Sequence, residues 1–312
     1  MLTVKLAIIY ILISSSIIYL SIYLEYYDKP NQRAIHRIPT INTGGLIIYS
    51  FFLSVVSLGE FNHNIELIVT IGFFVCLTGF VDDRINLNPS NKIVLILIPS
   101  IYLILSGISI NDLGQYEYLG NLELGKFKIP FLLLAIGLLI NATNYIDGID
   151  GLLLTFFLSC LLYYIILIDD IETINLLKLF FGAALLNLIL NLLPSKNKFK
   201  VFSGDSGSLF IGFFISFMTI ELYSSFDIHP AILVWPLWYP VYDFLFVSIN
   251  RLSNKKSIFK PDNTHLHHVI NKKFLGNKIS PLILFLIVNS SIIMLGYKIS
   301  EISKLLSLSI FI

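Results

Sequence analysis

Charge is scarce in this chain. Only 13% of its 312 residues are Asp, Glu, Lys or Arg, about half of what a soluble domain carries. With a hydrophobic fraction of 56% and a mean hydropathy of +0.82, that shortage excludes an ordinary soluble domain and calls for a bilayer. Cysteine is nearly absent too. The two present, Cys76 and Cys160, fall inside long apolar runs, which argues against a disulfide framework and a thiolate metal site. No low-complexity tract and no internal repeat breaks the chain. The first apolar run, residues 2–24, lacks a small-residue cleavage site and ends in Glu25-Tyr26-Tyr27-Asp28, so it reads as a spanning helix and not a signal peptide.

Apolar runs of spanning length are what the chain has in abundance. They fall near residues 2–24, 42–59, 64–81, 92–109, 129–145, 149–168, 174–193, 207–226, 229–250 and 281–297. The expected fold is therefore all-α, a polytopic membrane protein of about ten helices, with residues 1–312 forming a single integral membrane domain. Placing the N-terminus outside makes the loops 25–41, 82–92, 194–206 and 251–280 cytoplasmic, and these hold fifteen of the 21 Lys and Arg residues. The opposite ends collect Glu60, Asp112, Glu117, Glu123, Asp169, Asp170, Glu172 and Asp227. Segment 110–128 is too broken by glycine to span and reads as an external hairpin-like loop. The final stretch, 298–312, is apolar but too short to cross, and is expected to lie along the outer surface or form an incomplete helix.

Between two of these runs stands Asn141-Ala-Thr-Asn144-Tyr-Ile-Asp147-Gly-Ile-Asp150-Gly-Leu152, too polar to serve packing alone. A charged side chain at membrane depth costs at least a few kcal/mol unless it is paired, metal-bound or in a wet cavity. On a straight helix three residues turn about 300°, so Asn141 and Asn144 share a face while Asp150 drifts to the opposite side. The helix is expected to end near Asp147, with Gly148 and Gly151 turning Asp150 back toward the same cavity. The plainer alternative is a hairpin turn with solvated carboxylates.

Four further clusters lie on the same side of the membrane. Asp82-Asp83-Arg84 with Asn86 and Lys92 offers adjacent carboxylates, which repel unless a cation such as Mg²⁺ sits with them; a solvated loop is the alternative. Phe202-Ser-Gly-Asp205-Ser206-Gly207-Ser208 leads into a helix, where Ser206 or Ser208 could cap and free amides could face a phosphate while Asp205 holds a metal. An ordinary capped helix start is the competing reading. His265-Leu-His267-His268, in a loop with Arg251, Lys255, Lys256 and Lys260, lacks a Glu or Cys at zinc-motif spacing and suits a polyphosphate better than a cation. Arg33-Ala-Ile-His36-Arg37 with Pro39-Thr40 and Gly44-Gly45 is a basic juxtamembrane loop before a helix. Carboxylates for metal, a glycine-rich loop and a basic rim on one membrane face are the equipment of phosphoryl transfer to a lipid.

In this order the motifs resemble the polyprenyl-phosphate N-acetylhexosamine-1-phosphate transferases of glycosyltransferase family 4, which include GlcNAc-1-phosphate transferases and the phospho-MurNAc-pentapeptide translocase. The resemblance covers nearly the whole chain and rests on Pro39-Thr40 with Gly44-Gly45, Asp82-Asp83, Asn141 to Leu152, Gly204-Asp205-x-Gly207-Ser208 and His265-x-His267-His268. It implies transfer of a sugar-1-phosphate from a UDP-N-acetylhexosamine to undecaprenyl phosphate, with release of UMP, in the bacterial inner membrane with the site facing the cytoplasm. It also implies Mg²⁺, with Mn²⁺ as the alternative, and no nucleic acid; relatives often form homodimers, although no dimer face is legible here. By the same resemblance Asp205, with Asp82, would hold the metal, and Asp82, Asp83 and Asp147 would be the catalytic carboxylates. Arg37, Asn141, Asn144, Asp150, Phe202, His265, His267 and His268 would bind substrate. A phosphate monoester is largely a dianion at neutral pH, so Asp82 or Asp83 is expected to orient the nucleophile or hold cation more than to act as a base.

The chain departs from the family pattern in places. Asn86 stands where a third aspartate is common, and no eleventh helix is expected. His-Leu-His-His in place of three consecutive histidines leans toward the branch that initiates surface polysaccharides and away from phospho-MurNAc-pentapeptide transfer. An ion-coupled transporter is disfavoured, because its carboxylates belong near the midplane and its fold carries repeats. An inactive membrane scaffold is disfavoured by the retained Asp82, Asp83, Asp147, Asp150 and Asp205.

Overall fold

The computed structural model describes residues 2–28, 30, 38–255, 265–274 and 279–312. Helices dominate: α1 (Leu2–Tyr23), α2 (Gly44–Leu58), α3 (His63–Ile85), α4 (Pro89–Leu105), α5 (Lys128–Ile146), α6 (Leu152–Leu167), α7 (Ile171–Leu192) and α8 (Gly204–Ser224). They are followed by α9 (Pro230–Leu233), α10 (Trp238–Ser253), α11 (Leu266–Lys273), α12 (Ile279–Ile302) and α13 (Lys304–Phe311). The fold is not purely helical. Two antiparallel ribbons interrupt it, β1 (Tyr27–Asp28) with β2 (Thr40–Ile41), and β3 (Asp112–Tyr116) with β4 (Gly120–Glu123). The second is the expected hairpin; the first was not foreseen, because strands of two residues leave no alternating pattern to read.

Among the described residues, seven helical segments are long and apolar enough to cross a membrane: Lys5–Tyr23, His63–Ile85, Gly125–Ile146, Ile171–Leu192, Gly204–Ser224, Pro230–Ser253 and Ile279–Ile302. This is a polytopic membrane protein. The other three expected spans are the shorter apolar helices Gly44–Leu58, Pro89–Leu105 and Leu152–Leu167. At about 1.5 Å per residue they fall short of the ~30 Å hydrocarbon core. All three begin at the end of the bundle where the polar motifs gather, so loops there replace the missing helical turns. Irregular backbone at that depth is tolerable only where protein buries it or it lines a cavity.

The axis of the bundle is α8. Its spanning window is 89% buried, against 28–44% for the other long segments, and it packs on α2, α3, α5 and α6. A helix apolar on every side belongs inside, and Phe210, Phe213, Phe214 and Phe217 fill the core around it. Lipid-facing positions such as Phe73, Phe74, Leu77 and Ile98 stay exposed on the outer helices.

Glycines let the start of α8 sit between α2 and α3. A Cβ on Gly45 would stand 2.0 Å from the Gly207 nitrogen, and one on Gly79 would stand 2.3 Å from the Asp205 carbonyl oxygen. Small residues at helix contacts allow this close approach. Backbone bonds then stitch the loop before α8 to the loop before α2: Phe202 N–H donates to Ile41 O (2.7 Å), Gly44 N–H to Phe202 O (2.8 Å) and Gly45 N–H to Ser203 O (2.9 Å).

At the opposite end the β3–β4 ribbon rests on α8 and α9, where Tyr223 donates to Asp112 and the His229 ring meets Gln115 O at 3.0 Å. The final apolar stretch is helical, with α12 running on to Ile302 before α13 begins. Glu117 caps α13 through the Lys304 and Leu305 amides (3.0 and 2.9 Å), and those amides hold its carboxyl down at about 2.

Replacing Gly79 with Ala is expected to lower the melting temperature in detergent by the equivalent of roughly 1–3 kcal/mol, the usual range for overpacking. Gly137→Ala, whose Cβ would meet nothing closer than 3.7 Å, should leave it nearly unchanged. Equal melting of the two variants would contradict this packing.

Candidate active site

The α3 helix runs past its two aspartates, so Asp82 and Asp83 stand in its last turn and point to different partners. The buried Asp82 accepts the Leu87 amide at 2.6 Å and lies 2.7 Å from the Lys92 ammonium. Lys92, in the first turn of α4, also reaches Asp205 of α8 at 2.6 Å, with the Asn144 side-chain oxygen of α5 at 3.5 Å. Oxygens from α3, α5 and α8 thus converge on one cation carried by α4. Unit charges about 4 Å apart interact with about 4 kcal/mol at an effective dielectric of 20, so the bare Asp82–Asp205 pair would repel strongly. The ammonium resolves that repulsion.

Asn144 braces the arrangement: its NH₂ donates to Asp205 Oδ1 (2.9 Å) and to Ser208 Oγ (2.8 Å). Asn141, one turn earlier, donates to Gly137 O (2.7 Å) and lines the same cavity. That cavity, about 210 Å³, is bounded by Asp82, Asn86, Lys92, Asn141, Asn144 and Tyr145 among others.

Asp83 turns away from Lys92 and caps α8. Its carboxylate accepts the Asp205 amide at 3.1 Å and the Ser206 amide at 3.5 Å, and bonds the Asn42 side chain. The expected serine cap with amides open to a phosphate is therefore corrected. A carboxylate satisfies the positive end of a helix better than a hydroxyl, and here it comes from a neighbouring helix. Gly204, at φ +67°, leaves the room that Asp83 and Asn42 occupy. Ser208 becomes an acceptor for Asn144, and Ser206 Oγ turns back to Ser203 O at 3.4 Å.

As expected, α5 stops at Ile146, with Asp147 as its C-cap. Gly151 takes a positive φ of 81°, whereas Gly148 does not, so the turn rests on one glycine where two were expected. It delivers Asp150 to Lys200 (2.9 Å), which also donates to Asn191 O and lies 5.2 Å over the Phe202 ring. Asp150 therefore faces the loop before α8 and not the Lys92 group. Asp147 is half-buried with acidic neighbours: burial, then the charges of Asp205, Asp83 and Asp150, push its carboxyl well above the usual carboxylate range.

His265 and His267 are buried and stack 5.5 Å apart. Asp243 of α10 holds His265 Nδ1 at 2.7 Å and accepts the Leu266 amide at 2.8 Å, while Tyr239 meets His267 at 3.4 Å. Tyr145 connects this histidine group to the cavity it lines, stacking on His265 at 5.3 Å. Arg37 and the side chain of His268 lie outside the described residues.

Lys200 and Asp243 are the members of this group that the sequence did not single out, and Lys92 was named beside Asp82 and Asp83 without a partner. Lys200 counted only toward loop charge. Asp243 was the one signal available, a lone carboxylate inside an apolar run.

Among the described residues no three His, Cys, Asp or Glu side chains form a metal cluster. Asp82 and Asp205, with the Asn144 carbonyl, are an all-oxygen donor set already gathered around a cation. That suits Mg²⁺, which takes one or two carboxylates and completes its shell with water and phosphate.

Fold and site together define a polytopic membrane protein with its charged machinery gathered at one end of the bundle. Residues 65–223 match the family described as Glycosyl transferase family 4, and the chain belongs to that family. The matched stretch carries Asp82, Asp83, Asn144, Asp147, Asp150 and Asp205. It is 29% identical over 267 residues to a probable undecaprenyl-phosphate N-acetylglucosaminyl 1-phosphate transferase of Bacillus subtilis, covering 83% of this chain and 74% of the relative. To the undecaprenyl-phosphate alpha-N-acetylglucosaminyl 1-phosphate transferase of Escherichia coli K12 it is 30% identical over 255 residues, 78% of this chain and 68% of the relative. The Yersinia pestis protein of the same name is 29% identical over a similar span.

A carboxyl whose folded pKa is raised favours the protonated state. Its penalty is absent below the unfolded value, about 4, and grows as pH rises toward the folded value. Asp147→Asn is therefore expected to raise the melting temperature of the cation-free protein at pH 7 and to flatten its decline above pH ~4. A melting profile identical to wild type across that range would contradict the placement of Asp147.

Proposed function

We propose that this protein transfers N-acetylhexosamine-1-phosphate, GlcNAc or a modified relative, from a UDP-sugar to undecaprenyl phosphate, releasing UMP, as the first step of a surface polysaccharide. The observation that carries this reading is the convergence of Asp82, Asp205 and Asn144 on one cationic group beside a cavity at a membrane end. Family membership and the names of the relatives support the reaction and favour GlcNAc.

In this reading a phosphate oxygen of the lipid attacks the β-phosphorus of the UDP-sugar. The new P–O bond forms as the bond to UMP breaks, and UMP leaves with that electron pair. Asp82 and Asp205 would hold Mg²⁺, which when bound supplies charge neutralisation for the crowded phosphates. The lipid phosphate, with a second pKa near 6, is already mostly a dianion at neutral pH. Asp82 accordingly orients and needs no proton. Asn144 fixes Asp205, and Asn141 and Tyr145 wall the cavity for the donor. Lys200 sets Asp150 beside Phe202, where the nucleobase would stack. His265 and His267, oriented by Asp243 and Tyr239, face the diphosphate. Ten crossings with the N-terminus outside put this end in the cytoplasm, where nucleotide sugars are made.

Purified protein with undecaprenyl phosphate and Mg²⁺ should release UMP from UDP-GlcNAc or a close UDP-N-acetylhexosamine. EDTA should abolish release, and Asp205→Ala should lower it by at least about 10²-fold, the usual cost of a lost charge-stabilising group. Asp82→Asn should lower the rate while the acidic limb of the pH profile persists. Release from no nucleotide sugar by folded protein overturns the proposal.

A further inference from the structure

Lys92 occupies the place where a divalent cation would be held. Its ammonium lies 2.7 Å from Asp82 and 2.6 Å from Asp205, with the Asn144 oxygen at 3.5 Å, and its side chain is only 13% exposed. Those are the same oxygens that the proposed function gives to Mg²⁺, so ammonium and metal compete for one position. Like charges that close are incompatible without intervening ligands, and the cavity bounded by Asn86, Asn141 and Tyr145 gives a displaced side chain somewhere to go.

We infer that Lys92 is a built-in counterion that bridges Asp82 and Asp205, and that metal binding evicts its ammonium into the adjoining cavity. The inference rests on the proposed Mg²⁺ site. Before substrate arrives, the lysine offsets the repulsion between Asp82 and Asp205 and keeps α3, α4, α5 and α8 together. After eviction, a flexible four-carbon stem leaves a positive charge in the space where phosphate oxygens gather. One residue would therefore serve the resting protein and the loaded one in turn. It would also weaken metal binding in the absence of substrate, because the metal must displace an incumbent.

The experiment is Mn²⁺ binding to the detergent-solubilised full chain, without substrate, read by electron paramagnetic resonance. Wild type, Lys92→Met, Lys92→Arg and Asp205→Ala are compared, and the Mg²⁺-dependent rise in melting temperature is recorded in parallel. If the lysine fills the site about nine-tenths of the time, its removal tightens metal binding about tenfold. Lys92→Met should accordingly bind Mn²⁺ about tenfold more tightly, melt lower than wild type without metal, and gain more from Mg²⁺. Lys92→Arg, which keeps a cation in place, should stay near wild type. Unchanged or weaker binding in Lys92→Met overturns the inference, as does a Lys92→Met protein that Mg²⁺ fails to stabilise. If instead Asp205→Ala binds metal as well as wild type, the Mg²⁺ site itself is wrong, which separates the failure of the proposed function from that of Lys92's role.

Discussion

Everything at the polar end of this bundle depends on keeping two carboxylates, Asp82 and Asp205, close together in spite of their mutual repulsion. The sequence meets that constraint with geometry before charge. Gly45, Gly79 and Gly207 remove the side chains that would keep α2 and α3 away from the first turn of α8. Only then can Asp205 come within reach of Lys92, and only then can Asp83 cap the helix that carries Asp205. The close packing of these helices and the chemistry of the polar end are the same structural decision.

The acidic groups that crowd this end divide the work by their partners. Asp82 and Asp205 face a cation, Asp83 faces helix amides, Asp150 faces Lys200 and Asp243 faces His265. Burial, and then the neighbouring carboxylates, raise the affinity of Asp147 for a proton, in the manner of groups kept for function at a cost in stability. Adjacent aspartates in the sequence, Asp82 and Asp83, thus have unrelated surroundings. One helical step of about 100° is enough to send the first toward Lys92 and the second into the start of α8.

Much of this was legible in the sequence. Long apolar runs located the helices, and polar motifs between them located the end of the bundle where the site would form. The stop of α5 near Asp147 followed from helical geometry, since four polar side chains at three-residue spacing cannot share one face. Other features were hidden for identifiable reasons. The pairing of Lys92 with Asp205 and of Lys200 with Asp150 was hidden because each joins residues far apart in the chain, 113 positions for the first and 50 for the second. The glycine-rich start of α8 resembled a phosphate cradle because glycine permits close approach of any partner, and the partner here is the protein's own backbone and Asp83. Asp243 lay inside an apolar run, and its role emerges only when α10 and His265 are seen together.

The most direct test of a cation site shared by α3 and α8 is the anomalous scattering of Mn²⁺ in crystals of the protein with a nucleotide sugar. A single peak between the Asp82 and Asp205 carboxylates, with the Lys92 ammonium moved off both, is the expected result. A peak beside His265 and His267, or one that leaves Lys92 bonded to both aspartates, would contradict it.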